Sequence, residues 1–208
     1  MTRLDSFALR KRIPNEEFDY VLLSSVLSEY QAPRQKINQL LKSGVIRRVK
    51  KGLYVFGSEY RRRPVCGEVL ANQIYGPSCL SMESALSYHG LIPEGVMQFS
   101  SVTPKKNREF ETILGRFRYY HLPMDCYSAG IEQVWVDSEH PALIACPEKA
   151  LCDYLALRYS GKLEDAGQFL EHDLRIDPEH WESLDAGRLE SLNLLYRNEN
   201  VRRLLEFL

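Results

Sequence analysis

The sequence predicts an α+β protein in two unequal parts, and three observations predict it. The net charge of −1 conceals a break: residues 1–63 hold fourteen Lys/Arg against six Asp/Glu, a balance of +8, and residues 64–208 hold thirteen against twenty-two, a balance of −9. Charge asymmetry of this kind points to a polyanion-binding part and a part with another duty. Residues 4–56 read as three helical patterns followed by two short strand patterns. Residues 64–208 alternate helical and strand patterns and end in a helical tail. At 208 residues, two domains are the ordinary division, with the boundary expected between Arg63 and Pro64.

Leu4, Phe7 and Ala8 mark a first helix that stops before Pro14. A second is opened either by Asn15, with Glu16 and Glu17 in its first turn, or by Asp19 as N-cap, and its apolar face is Leu22, Leu23, Val26 and Leu27. A third begins at Ala32-Pro33, where proline sacrifices no hydrogen bond, and ends at Ser43-Gly44. Its buried stripe is Ile37, Leu40 and Leu41. Val45–Val49 and Leu53–Phe56 then read as strands joined at Lys50-Lys51-Gly52. Three helices followed by a hairpin with a basic tip is the pattern of a winged helix-turn-helix, and Ser58–Arg63 is its basic linker.

The second part reads as a larger mixed α/β domain. Val65–Tyr75 is helical. Ser81 is expected to cap a helix over Met82–His89. Val96–Val102 is a strand, Phe110–Leu114 and Phe117–Leu122 a hairpin turning at Gly115-Arg116, and Ile131–Val136 and Ala142–Ala145 further strands. Pro147 starts a helix with Ala150, Leu151, Tyr154 and Leu155 inward. The pattern is helical from Leu163 to the end, with breaks at Asp177-Pro178 and near Asn198.

Several function classes are disfavoured. No run approaches the roughly 20 apolar residues of a membrane span. The start Met1-Thr2-Arg3-Leu4-Asp5-Ser6 lacks the apolar run of a secretory signal, so a cytoplasmic location is expected. Cys66, Cys79, Cys126, Cys146 and Cys152 have neither disulfide-framework nor zinc spacing, which implies reduced, mostly buried thiols. His89, His121, His140, His172 and His180 lack metal-ligand spacing, and His89, one turn after Leu86, reads as a hydrogen-bonded core histidine. The carboxylates Asp125, Asp137, Glu139 and Glu148 could suggest a nuclease, but no Glu-x-Lys or Asp-x-Lys follows a plausible strand; with no nucleophile elbow or phosphate loop either, no catalytic residue, metal or cofactor is expected.

DNA chemistry is concentrated in the first part. On the third helix Gln35, Asn38, Gln39 and Lys42 point away from the apolar stripe, and Arg34 and Lys36 flank it. Asn and Gln can bond adenine in two places, and Arg and Lys can contact guanine or phosphate. Arg47, Arg48, Lys50 and Lys51 on the hairpin, with Arg61, Arg62 and Arg63 of the linker, are placed to meet phosphates.

With these residues laid out, the sequence resembles the AbiE-type (AbiEi) abortive-infection antitoxins of type IV toxin–antitoxin systems. Three stretches carry the resemblance: Pro33–Gly44 running into Lys51-Gly52-Leu53-Tyr54, then Ser81–Pro93 (SMESALSYHGLIP), then Pro147–Asp153 (PEKALCD). The resemblance implies a winged-helix transcriptional autorepressor that binds double-stranded DNA at its own operator. It also implies a second domain that counteracts a co-encoded nucleotidyltransferase-like toxin, with or without a stable complex. The alternative on the same architecture is a winged-helix regulator whose second domain senses a ligand or dimerises and has no toxin partner.

Overall fold

The computed structural model describes residues 6–93, 95 and 98–208. The chain is mixed α+β, with two sheets among the described residues. The first unit runs α1 (Ser6–Arg12), β1 (Glu17–Asp19), α2 (Tyr20–Val26), α3 (Pro33–Lys42), β2 (Ile46–Lys50) and β3 (Leu53–Phe56). Its antiparallel sheet has the order β1-β3-β2.

The expected helix start at Asn15 is not formed, because residues 17–19 pair with β3 instead. Phe18 lies opposite Tyr54 and packs at a tilt against Phe56 in the core, while Glu16 pairs with Arg10 and Glu17 lies against His140. Asp19 is the true N-cap of α2, its Oδ1 accepting from Leu22 N at 2.8 Å. Leu23, Val26 and Leu27 face inward, whereas Leu22 is 38% exposed. On α1 the buried pair is Leu9 and Ile13, and Phe7 is exposed; Leu4 lies outside the described residues. Gly44 closes α3 with φ +74, a conformation that costs a glycine little.

The second unit holds α4 (Gly67–Ile74), β4 (Cys79–Leu80), α5 (Met82–Tyr88), β5 (Gln98–Thr103), β6 (Arg108–Thr112), β7 (Gly115–His121), α6 (Met124–Ser128), β8 (Ile131–Trp135), β9 (Pro141–Ala145) and α7 (Pro147–Leu157). Its sheet, six-stranded among the described residues, has the order β6-β7-β5-β4-β9-β8, with β4–β9 and β5–β7 parallel and the other neighbours antiparallel. Of the strand expected over Val96–Val102, Val96 and Met97 lie outside the described residues, and the rest is β5. The β6–β7 hairpin turns two residues earlier than expected, at Ile113-Leu114, which leaves Ile113 at the tip 41% exposed. The tail comprises α8 (Ala166–Gln168), a π turn at Phe169–Asp173, α9 (Pro178–Trp181), α10 (Ala186–Tyr196) and α11 (Glu199–Phe207). Both expected breaks are present, with Asp177 and Asn198 at N-cap positions, and a further, unexpected one separates α9 from α10, whose N-cap is Asp185.

Ser81 occupies the N-cap position of α5 as expected, but its side chain makes no capping bond. Its hydroxyl donates to Asp153, which also takes a bond from the Tyr196 hydroxyl and pairs with Lys149 at 3.4 Å. Lys149 Nζ donates to Cys126 O at 2.7 Å and to Tyr196 Oη at 2.9 Å. Lys149 and Asp153 are fully buried, a state that charged groups sustain only when paired and hydrogen-bonded. Through Tyr196 this network fastens α10 to α7. His89 is bonded as expected, its Nε2 lying 2.8 Å from Ala145 O. All five cysteines are free and buried.

The two units share the β2–β3 hairpin. Side chains alternate across a strand, and in β3 both sets are buried: Tyr54 and Phe56 enter the first core, while Leu53 and Val55, with Val49 of β2, enter the second. No helix among the described residues is long and apolar enough to cross a membrane.

Candidate nucleic-acid interface

Helix α3 exists because Pro33 fixes its first turn and because Ile37 and Leu40, both 4% exposed, anchor it to the first core. With that stripe inward, Arg34, Gln35, Asn38, Gln39 and Lys42 are exposed, and Lys36 is half-buried with its ammonium 5.5 Å from the Tyr30 ring. Pairing of β2 with β3 then brings the hairpin alongside. A register shift between Arg48 and Lys50 marks a bulge, a device that re-aims side chains and adds twist.

Between α3 and the hairpin lies a groove of about 780 Å³ lined by Tyr20, Arg34, Asn38, Arg48, Lys51 and Tyr54 among others. The Arg48 guanidinium sits 5.9 Å from the Tyr54 ring, which steadies it. Tyr20 lies beside Ser24 and Arg34, and their proximity lowers its phenol pKa. Gly52 takes φ +87 at the hairpin turn with open space around its α-carbon, and its carbonyl accepts from Tyr20 N at 2.8 Å.

The thirteen side chains singled out in the sequence are therefore not equivalent. Arg34, Asn38, Arg48 and Lys51 converge on one groove, with Gln35, Gln39 and Lys42 on the exposed helix face and Arg47 exposed on β2. Lys50 turns the other way. Its ammonium donates to Ile74 O at the end of α4 and lies 5.7 Å from the Phe110 ring. Burial lowers its pKa, and the neighbouring charges of Arg108 and Lys105 lower it further. Arg61 Nε donates to Phe56 O at 2.9 Å, and Arg63 pairs with Glu139. Arg62 keeps an exposed side chain while its backbone N–H donates to Glu16 Oε1.

Sequence reasoning missed Tyr20 and Tyr54 as groove walls, and it missed the side chains where the units meet. At that seam Glu17 and His140 pair at 2.9 Å, and His140 Nδ1 lies 2.7 and 2.6 Å from the two Asp137 carboxylate oxygens. One signal was available. Leu53-Tyr54-Val55-Phe56 is apolar at every position, the mark of a strand covered on both faces rather than of a solvated hairpin arm.

No family model matches the chain, and no curated protein sequence does. The fold is similar to that in the crystal structure of RV2827C protein from Mycobacterium tuberculosis. That chain is 14% identical, with a TM-score of 0.54, and the alignment covers 98% of this chain and 82% of that one. At this identity the likeness is one of architecture.

Proposed function

We propose that the chain is a double-stranded-DNA-binding antitoxin. In this reading the first unit is a winged helix-turn-helix with α3 as reading helix and the β2–β3 hairpin as wing. The observation that carries it is the convergence of Arg34, Asn38, Arg48 and Lys51 on one open groove beside an exposed face of Gln35, Gln39 and Lys42. Amide side chains beside cations on one anchored helix suit a major groove, where bases are read from their edges while phosphates hold the register.

The chain would act in the cytosol, repress its own operon, and counteract a co-encoded nucleotidyltransferase-like toxin through its second unit; this part rests on the resemblance of residues 33–54, 81–93 and 147–153. It needs no cofactor and no catalytic group. Ser81, Lys149 and Asp153, the most enzyme-like cluster, are wholly buried and bonded to one another, and we read them as a support for α10.

The test has two arms. Full-length protein is titrated with labelled duplex from upstream of its own gene and with a shuffled duplex of equal length. Tighter, salt-sensitive binding to the first is expected, and equal weak binding to both overturns the repressor reading. Co-expression with the neighbouring nucleotidyltransferase-like protein should restore growth, and a failure of rescue by soluble protein overturns the antitoxin reading alone.

A further inference from the structure

Lys50 belongs to a group of cations outside the α3 groove. Lys105 and Lys106 stand on the loop between β5 and β6, and Arg108 opens β6; all three are exposed. The ammonium of Lys50 donates to Ile74 O and that of Lys105 to Gly76 O, so both meet the C-terminal end of α4. The Arg108 guanidinium is 5.7 Å from the Tyr75 ring and 5.7 Å from the Phe110 ring. Lys105 Nζ is 5.3 Å from Tyr75, and Lys50 Nζ is 5.7 Å from Phe110. Three cations thus gather around two rings and one helix end.

Their charge is not balanced there. A helix C-terminus supplies roughly half a negative charge, and an aromatic ring has no net charge to offer. About two and a half positive charges are left over, and Lys106 adds another. Among the described residues no carboxylate is ion-paired with any of the four. The other face of the β6–β7 hairpin is matched: Arg116 pairs with Glu109 and Glu111, and Arg118 with Glu109. Side chains alternate across a strand, so Arg108 and Phe110 face α4 while Glu109 and Glu111 face away. Burial lowers the Lys50 pKa, and the nearness of Arg108 and Lys105 lowers it further. Beside the cations lies a hollow of about 710 Å³ lined by Tyr75, Pro104, Lys105, Lys106, Asn107 and His121. The loop is tied down, with Thr103 Oγ1 accepting from Lys105 N at 3.2 Å and Asn107 Oδ1 from His121 N at 2.6 Å.

We propose that Lys50, Lys105, Lys106 and Arg108 form a binding site for a small anion carrying two or more phosphates, the class of nucleoside triphosphates and inorganic triphosphate. A phosphate chain matches both the excess of charge and the size of the hollow. An ammonium that now bonds a neutral carbonyl gains a stronger, charge-assisted bond by turning to a phosphate oxygen. Half-buried Lys50 is within reach of a small ligand entering the hollow, whereas a rigid duplex meets the side chains that project furthest. The site draws on none of the groove residues Arg34, Asn38, Arg48 and Lys51, so it does not depend on the DNA-binding reading.

The test is isothermal titration calorimetry of full-length protein with inorganic triphosphate at low salt, with orthophosphate as the single-phosphate control. Saturable binding at one site per chain is expected, with orthophosphate at least about tenfold weaker. Lys106→Gln combined with Arg108→Gln should weaken triphosphate binding by about tenfold or more, as loss of bonds between ionised partners does. Arg48→Gln combined with Lys51→Gln should change it less than about twofold. Urea unfolding checks that both double variants fold, and Lys106→Gln alone, at an exposed loop position, gives the same reading if Arg108→Gln does not fold. Absence of saturable binding to the unmodified chain overturns the proposal. So does equal weakening in both double variants, which is attraction to charge in general. If the Lys106/Arg108 variant keeps its triphosphate binding but loses affinity for shuffled duplex, the cations serve a nucleic-acid backbone and the proposal also falls.

Discussion

Lys50 and Lys51 are adjacent on one basic turn, yet their alanine variants should behave oppositely. Lys51 is exposed at the groove, and Lys50 donates to Ile74 O. If Lys51 neutralises one phosphate, Lys51→Ala should reduce the slope of log K against log[salt] by about 0.9. It should weaken binding to operator and shuffled duplex alike and leave folding stability within about 0.5 kcal/mol. Lys50→Ala removes a charged donor from a backbone carbonyl, an interaction worth roughly 1.5–3 kcal/mol when fully shielded. Lys50 is only half-buried, and its charge already suffers burial and the repulsion of Arg108 and Lys105, so about 1 kcal/mol of stability is the reasonable loss. Its salt slope should match that of the unmodified protein. The assay pairs fluorescence anisotropy over a salt series with urea unfolding on the same preparations. A reduced salt slope for Lys50→Ala at unchanged stability would refute the reasoning, because Lys50 would then be turned toward DNA and not toward α4.

Asn38→Ala or Gln39→Ala should narrow the gap between operator and shuffled duplex by about 1–3 kcal/mol, the worth of one base-reading pair, as read in the same anisotropy titration. If about five exposed cations meet phosphates, the unmodified chain should show a salt slope near −4 to −5. Asp153→Ala should cost about 3–5 kcal/mol in urea unfolding, because it strands the buried Lys149 ammonium, whereas Lys149→Met combined with Asp153→Leu should cost less. A chain beginning at Pro64 should fold but unfold at lower temperature than the full protein. It loses Val49, Leu53 and Val55 from the second core, contacts together worth on the order of 5 kcal/mol, and should show this as a reduced Tm and increased binding of an apolar dye.

The sequence reading was strongest where local chemistry decides the conformation. Pro33, Gly44, Asp177-Pro178 and Asn198 set helix ends through effects confined to a few residues, and the structure places ends there. It was weakest where a distant partner decides. Residues 15–17 carry good helix-start chemistry, but Glu16 and Glu17 find Arg10 and His140, and Phe18 finds Phe56, so the segment is drawn into a sheet. Ser81 is a good cap in isolation, yet Asp153, 72 residues later, takes its hydroxyl. For the candidate interface the amphipathic period of α3 gave the exposed face directly. The inward turn of Lys50 was hidden because it depends on where α4 ends, which no local pattern records.

The sharing of the hairpin has a consequence for how the units communicate. Two domains joined only by a linker move independently, and each keeps its own core. Here Tyr54 and Phe56 face one core and Leu53 and Val55 the other, so β3 cannot slide or tilt without disturbing both. Close-packed interiors respond to such displacement by switching arrangement rather than by yielding gradually. Under the DNA-binding reading, Lys51 and Gly52 form the working end of this strand pair, while Lys50, one residue away, grips the end of α4. A change in the second unit that moved Ile74 or opened the Glu17–His140 contact would therefore reach the wing through one residue of backbone. That linkage makes the hairpin, more than the arginine run at 61–63, the element through which the two activities would be joined.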